Sequence, residues 1–315
     1  MKYSQLGKTG IEVSKMCFGS LTMGPLQANL SLDNSLKLLQ VAFNNGINFI
    51  DTAEIYENYP LIKNALKTAP HDIVISTKCY AYTEEMMKKS LEKARKELDR
   101  DVIDIFLLHE QESMLTVKGH WEAIEYLLKA KSKGLIRAIG LSTHHIKGVE
   151  AVIETDELEI VHPIVNYKGL GILDGNIEEM LSLLQKAKKL GKGIYGMKPI
   201  GGGNFLNDAK NAFEWAFNRS ELDAIAIGMQ SIDEVMVNLS WLKGTTPDSN
   251  YLNKLKNKKR KLHIEDYCEG CGACVKRCSH SALVLKNNKA IVDTKKCIMC
   301  SYCASVCPLF AIKVI

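Results

Sequence analysis

INFIDTAEIY (Ile47–Tyr56), IVISTK (Ile73–Lys78) and IDIFLLH (Ile103–His109) are built alike: a short run rich in branched apolar residues, then a polar one. Such runs occur at Met16–Leu21, Ile47–Thr52, Ile73–Thr77 and Ile103–Leu108. Four more follow at Ile136–Ser142, Ile160–Asn166, Gly193–Met197 and Ala224–Gly228. Each has the length and composition of a buried strand. The stretches between them carry apolar residues three and four apart, the helical period. Leu32, Leu36, Leu39 and Phe43 form one stripe, Met87, Leu91, Ala94 and Leu98 a second, and Ile177, Leu181, Leu184 and Ala187 a third. Strands alternating with helices call for parallel pairing through right-handed crossovers. Eight such units within residues 1–244 predict a (β/α)8 TIM barrel, a fold of about 250 residues. The fold class is therefore α/β.

A barrel of this kind builds its site at the C-terminal ends of its strands. Asp51, Lys78 and His109 stand at three of those ends, and Tyr56 follows Asp51 by five residues. Singly, each has a plainer reading. An Asp after a strand caps a helix, a terminal Lys reaches for water, and a lone His or Tyr packs. Four at one mouth point to chemistry.

LGKTGIEVSKMCFGS, NFIDTAEIY, ISTK and DIFLLH, in that order, resemble the aldo-keto reductases, and the resemblance runs through positions 1–244. It implies a catalytic Asp51, Tyr56, Lys78 and His109, and reversible carbonyl reduction with a nicotinamide. In that chemistry Tyr56 protonates the carbonyl oxygen, or takes the proton back. A neighbouring ammonium favours phenolate, so Lys78 is expected to lower the Tyr56 pKa from its ordinary value of about 10. Asp51 would hold Lys78, and His109 would position the substrate oxygen.

The resemblance also implies a cofactor groove along Gly19, Ser20, Ser142, Asn166, Met197, Lys198, Gly201, Gly202 and Asn238. Here the chain departs from the family pattern. Thr143 stands where Asn is usual, Ile164 where Gln is common, and Met197 replaces the tyrosine that stacks on the nicotinamide. Gln230 and Glu234 stand where arginines hold the 2′-phosphate of NADPH. An acid near the ribose favours a free 2′-hydroxyl, hence NADH over NADPH.

Eight of the ten cysteines are confined to the C-terminal end of the chain. Cys268, Cys271, Cys274 and Cys278 form one run; Cys297, Cys300, Cys303 and Cys307, followed by Pro308, form the other. Both read C-x-x-C-x-x-C-x-x-x-C, the bacterial spacing for cubane iron–sulfur clusters, in which the fourth cysteine serves the other cluster. Zinc sites also use C-x-x-C pairs, but not two complete four-cysteine runs. From about Tyr267 to Ile315 the chain resembles bacterial-type ferredoxins with two 4Fe–4S clusters, and Ser279 replaces a usual proline. The expected ligand sets are Cys268, Cys271, Cys274 and Cys307 for one cluster, and Cys297, Cys300, Cys303 and Cys278 for the other. Such a module is a small α+β ferredoxin-like domain.

The expected organisation is a barrel over 1–244, a basic linker over 245–261 and a cluster domain over 262–315. The linker holds Lys254, Lys256, Lys258, Lys259, Arg260 and Lys261, six cations against a formal net charge of +5 for the whole chain. A docking patch for an acidic partner is one reading. A solvated linker or helix end is the plainer one, since no nucleic-acid motif accompanies the charge. No signal peptide opens the chain and no apolar run approaches a membrane span. A cytoplasmic protein with reduced thiols is expected. Cys17 and Cys79 read as buried inert thiols, His144 and His145 as loop residues, and His162 as unpaired.

The two halves use different redox units. Nicotinamide transfers a hydride, whereas a cluster passes one electron. The clusters could feed the barrel substrate directly, feed it through a bound flavin, or serve as a structural or sensing appendage. The leading expectation is an oxidoreductase that reduces a carbonyl or oxidises an alcohol, with the clusters as relay and an external electron carrier as a possible partner. The alternative is an electron carrier or redox sensor that uses the barrel as a docking scaffold.

Overall fold

The computed structural model describes residues 1–315. A hairpin of β1 (Tyr3–Gln5) and β2 (Glu12–Ser14) opens the chain. Eight parallel strands follow: β3 (Met16–Gly19), β4 (Phe49–Asp51), β5 (Val74–Cys79), β6 (Ile103–Leu108), β7 (Ile136–Thr143), β8 (Ile160–Pro163), β9 (Gly193–Met197) and β10 (Ala224–Gly228). Each pairs with the next and β10 pairs with β3, so the sheet closes into a barrel. Every run expected to be a strand contains one, with boundaries that differ by a few residues. One shift matters. Lys78 lies within β5 and not after it, so its backbone is paired with Leu107 of β6 and its side chain is held in place by the sheet.

The main core lies between sheet and helices. The stripe Met87, Leu91, Ala94 and Leu98 is wholly buried within the helix Glu84–Leu98. In the helix Leu32–Asn44 the buried face is Ser35, Leu38, Leu39, Ala42 and Phe43. Leu32, the first residue after the Ser31 cap, is 47% exposed and drops out of its stripe. Leu6, Ile11 and Val13 of the hairpin join Cys17, Phe49, Ile105, Leu107 and Tyr195 inside the barrel. They close the end opposite the site, since Gly7 abuts the start of β9.

Beyond the barrel, the helix Ser249–Asn257 lies on the helix Ile232–Leu242. The linker cations are partly paired there: Lys254 with Asp233, and Lys258 and Arg260 with Glu234. From Leu262 onward the chain makes two small antiparallel sheets. One joins β11 (Leu262–Ile264) to β14 (Ile312–Val314); the other joins β12 (Leu283–Lys286) to β13 (Lys289–Val292). Asn287 and Asn288, at φ +50° and +55°, make the two-residue turn between β12 and β13, where asparagine tolerates left-handed backbone. The core here is eight residues, two of them Cys274 and Cys303. A core this small ordinarily needs a metal or another staple. No helix of the structure is long and apolar enough to cross a membrane.

Candidate active site and cluster centre

Asp51 ends β4, Lys78 sits in β5, and His109 follows β6, which brings their side chains to one mouth of the barrel. Tyr56 ends a single 3-10 turn, Glu54–Tyr56. That turn is riveted by Asn58, which accepts from Thr52 Oγ1 at 2.7 Å and donates to Ser20 O and Ser20 Oγ, both at 3.0 Å. Asn58 is fully buried. It ties the Tyr56 loop to the ends of β3 and β4.

Lys78 is 1% exposed and Asp51 5%. The Lys78 ammonium donates to Asp51 Oδ1, Asp51 Oδ2 and Thr52 O, each at 2.8 Å. An ammonium has three protons, and all three are used. None is left for the Tyr56 hydroxyl, although Nζ lies 5.0 Å from the centre of its ring. This corrects the expectation of a lowered tyrosine pKa. Burial and the charges of Asp51 and Glu110 push the Tyr56 phenol up, because Asp51 neutralises the cation that was expected to act on it. Tyr56 is therefore held as a neutral phenol, a proton donor.

His109 lies edge-on to Tyr56, with ring centres 6.0 Å apart, and is stacked on Tyr80 at 4.5 Å. Burial and the charges of Lys78 and Lys198 drive its pKa down. It is neutral, and its Nδ1 is buried without a partner. Tyr80 in turn donates to Glu110 at 2.8 Å.

Two further participants, Tyr195 and His162, carry no motif that announces their role. Tyr195 of β9 donates to Asp51 Oδ1 at 3.0 Å and pairs with Ser76 Oγ at 2.7 Å. His162, expected to be unpaired, bonds the Tyr195 carbonyl through Nδ1 at 2.6 Å and stacks on the Tyr195 ring at 3.9 Å. Its Nε2 lies 3.6 Å from Asp51 Oδ1. Lys198, expected in the cofactor groove, sits at φ +59° and donates to His144 Nε2 at 2.7 Å. Only strand register joins these residues, so no local spacing announces them. Cys17 and Cys79 are buried as expected, and burial holds the Cys79 thiol up at about 11.

Burial, partly opposed by Asp51, holds His162 down to about 4, whereas an unfolded histidine titrates near 6.5. Between these values the unfolded chain binds the extra proton. Stability therefore falls as the pH drops from about 6.5 to about 4, by on the order of 3 kcal/mol from this group, and by about 2 kcal/mol by pH 5. Urea midpoints at neutral and mildly acid pH measure this loss. His162→Asn should shrink the difference, and an unchanged difference would assign it elsewhere.

In the C-terminal region the second cysteine run repeats the spacing of the first. The backbone repeats as well. Gly270 and Gly272 are left-handed, as are Met299 and Ser301; Ser281 matches Phe310. Ala282 N–H donates to Cys278 Sγ and Ala311 N–H to Cys307 Sγ, both at 3.3 Å. The thiols nearest Cys274 in charge are Cys307, Cys268 and Cys271. Cys278, Cys297, Cys300 and Cys303 line one cavity, with Leu262, Leu283 and Tyr302 among its walls. All eight thiols are free. The donor set and its two-fold repeat fit two cubane clusters.

Against known families, residues 15–235 match the aldo/keto reductase family. The chain belongs to that family. Residues 260–308 match a 4Fe-4S dicluster domain. L-galactose dehydrogenase of Arabidopsis thaliana is 24% identical over 277 residues, covering 75% of this chain and 86% of that protein. Methylglyoxal reductase of Escherichia coli K12 is 27% identical over 192 residues, covering 57% and 67%. An aldo-keto reductase from Bacillus halodurans, solved in its holo form, superposes with a TM-score of 0.65 at 21% identity, covering 81% of this chain and 96% of that one.

In this aldo/keto reductase most of the positions expected to hold a dinucleotide are engaged with protein. Ser20 Oγ accepts from Asn58. Ser142 Oγ accepts from Glu110 N–H at 2.9 Å. Asn166 spends both amide atoms on Leu170 backbone, at 2.8 and 2.9 Å. A side chain on Gly19 would press on β10 backbone. Met197 is buried with Ile164 and Phe310. Gly201 and Gly202 are left-handed and lie against Phe205 and Lys313. Asn238 is buried. Gln230 and Glu234 accept from Lys258 at 2.8 and 2.9 Å. These residues do not fit a nicotinamide dinucleotide.

Proposed function

We propose that this aldo/keto reductase reduces a small carbonyl compound, or oxidises the matching alcohol, at Tyr56, with two 4Fe–4S clusters as its electron relay. In this reading the barrel spans 1–244, the basic connector 245–261 and the cluster domain 262–315. Cys268, Cys271, Cys274 and Cys307 hold one cluster; Cys297, Cys300, Cys303 and Cys278 hold the other.

One observation carries the reading: a neutral Tyr56 beside a buried Lys78–Asp51 pair, at the same mouth that Phe310, close after Cys307 in the chain, enters. Conversion of a carbonyl to an alcohol takes up two electrons and two protons. Bound clusters supply electrons singly. Tyr56 donates one proton to the carbonyl oxygen and regains it from solvent; the second proton comes from solvent. Charge that builds on that oxygen is met by the Tyr56 proton itself, because the Lys78 ammonium is spent on Asp51 and Thr52. His109, neutral, orients the substrate oxygen through Nε2.

Names of relatives supply two probes, methylglyoxal for reduction and L-galactose for oxidation. The cluster-loaded protein, reduced with dithionite and freed of excess reductant, is mixed with methylglyoxal under argon. The oxidised protein is mixed with L-galactose. Return of the iron–sulfur absorbance together with an alcohol product, or its bleaching by L-galactose, supports the reading. Clusters unmoved by either compound, while an external carrier still exchanges electrons with them, would leave an electron carrier and sink the enzyme.

A further inference from the structure

We infer that the C-terminal segment of this chain itself fills the groove a nicotinamide dinucleotide would need, so that reducing power reaches the barrel mouth as single electrons through the cluster domain and not as hydride. The inference rests on reading the barrel as a carbonyl site, and it deepens that reading by naming the electron source.

The groove is filled along its length. At the ring end, Phe310 is 1% exposed and buried with Met197 and Ile164. Its ring lies edge-on to His144 at 6.2 Å, and the Lys198 ammonium is 5.3 Å from its centre. A flat aromatic side chain thus already covers Met197, the residue at the family's nicotinamide-stacking position. A Cβ on Gly171 would collide with the same ring. In the middle, β14 lies across the glycine turn. Asn204 donates to Ile312 O at 2.9 Å. A Cβ on Gly203 would overlap the Val314 carbonyl, and one on Gly202 would meet Lys313. The space these glycines leave open is taken by protein, not left for a pyrophosphate. At the far end, Lys258 and Arg260 both bond Glu234 Oε1, at 2.9 and 3.0 Å.

Opening the groove would expose Phe310 and separate Glu234 from two cations at once. A dinucleotide offers no replacement cation, and its phosphates would be repelled by the freed carboxylate. The segment that blocks the groove also carries cluster ligands to the mouth. Phe310 closely follows Cys307, and Tyr267 adjoins Cys268. Phe310, packed on Met197 and Ile164 and edge-on to His144, therefore ties the Cys307 end of the cluster domain to the catalytic mouth. The electrons come from two molecules of an external low-potential one-electron carrier, each oxidised by one electron, as the carbonyl takes up two electrons in all and two protons, one from Tyr56 and one from solvent.

Equilibrium dialysis of the anaerobic, cluster-loaded full chain against NADH and against NADPH tests this. No saturable binding is expected up to about 1 mM, the upper end of usual KM values. Neither nucleotide should bleach the clusters, which dithionite should bleach, and acid extraction should release no flavin. Saturable binding of either nucleotide, bleaching by it, or a stoichiometric flavin would overturn the inference. Methylglyoxal reduction by dithionite-treated protein involves no nicotinamide. Turnover there with nucleotide binding here sinks only this inference; no turnover there with no binding here sinks only the proposed function.

Discussion

Tyr56→Phe should lower methylglyoxal turnover by about 10²–10⁴-fold, the usual worth of a general acid, and leave cluster reduction by dithionite unchanged. The substitution deletes one hydroxyl and keeps the ring. Packing against His109 and the approach of Lys78 to the ring should survive. The phenol is held protonated by burial and nearby carboxylates, so the lost group is a donor at neutral pH. Single-turnover mixing of the reduced variant with methylglyoxal gives the rate, and dithionite titration of the same sample gives the cluster control. A variant that keeps its full rate would remove Tyr56 from the chemistry. Slowed cluster reduction would mean that the hydroxyl acts on electron transfer and not on the substrate.

Lys78→Met should both stop turnover and destabilise the fold, by about 3–5 kcal/mol, as expected when one partner of a buried ion pair is removed. The lysine is buried by eight barrel strands and satisfies both Asp51 oxygens and a carbonyl. Without it, Asp51 keeps only the Tyr195 hydroxyl as a direct hydrogen-bond donor. A carboxylate left in that state favours protonation. The deficit should therefore narrow as pH falls and Asp51 takes up a proton. Lys78→Met combined with Asp51→Asn should recover part of the loss, because no isolated charge remains. Urea melts of the two variants and the parent, at neutral and acid pH, measure all three effects. A single variant as stable as the parent would mean that the pair contributes nothing to folding.

Much of the barrel is legible because its signals are local. A strand buried on both faces needs a short branched apolar run, and a helix covering the sheet needs a stripe at the helical period. Met87, Leu91, Ala94 and Leu98 meet that requirement completely; Leu32 does not, because periodicity cannot say where a helix outruns its support. The cysteine runs are legible for the same reason. Thiols separated by two residues wrap one inorganic cluster through the geometry of a short loop, and Cys278 and Cys307 each follow a run by a fixed step.

The mouth is different. Asp51, Tyr56, Lys78 and His109 come from three successive strand–helix units, yet the order of strand ends brings them together. What their charges do depends on neighbours that come from further off. Lys78 spends its protons on Asp51 and Thr52, so the tyrosine keeps its own. Tyr195 and His162 reach Asp51 from β9 and β8 through register alone.

By itself, then, the amino-acid sequence determined the closed barrel, the four polar residues at its mouth and the eight thiols, since each depends on spacing within one element or one loop. Only the tertiary structure decided the protonation of Tyr56, the partners of His162 and the occupant of the groove. Met197 closes β9 of the barrel, whereas Phe310 lies just before β14 near the C-terminus. Their contact is made by docking one folded unit on another, and no periodicity or spacing encodes that.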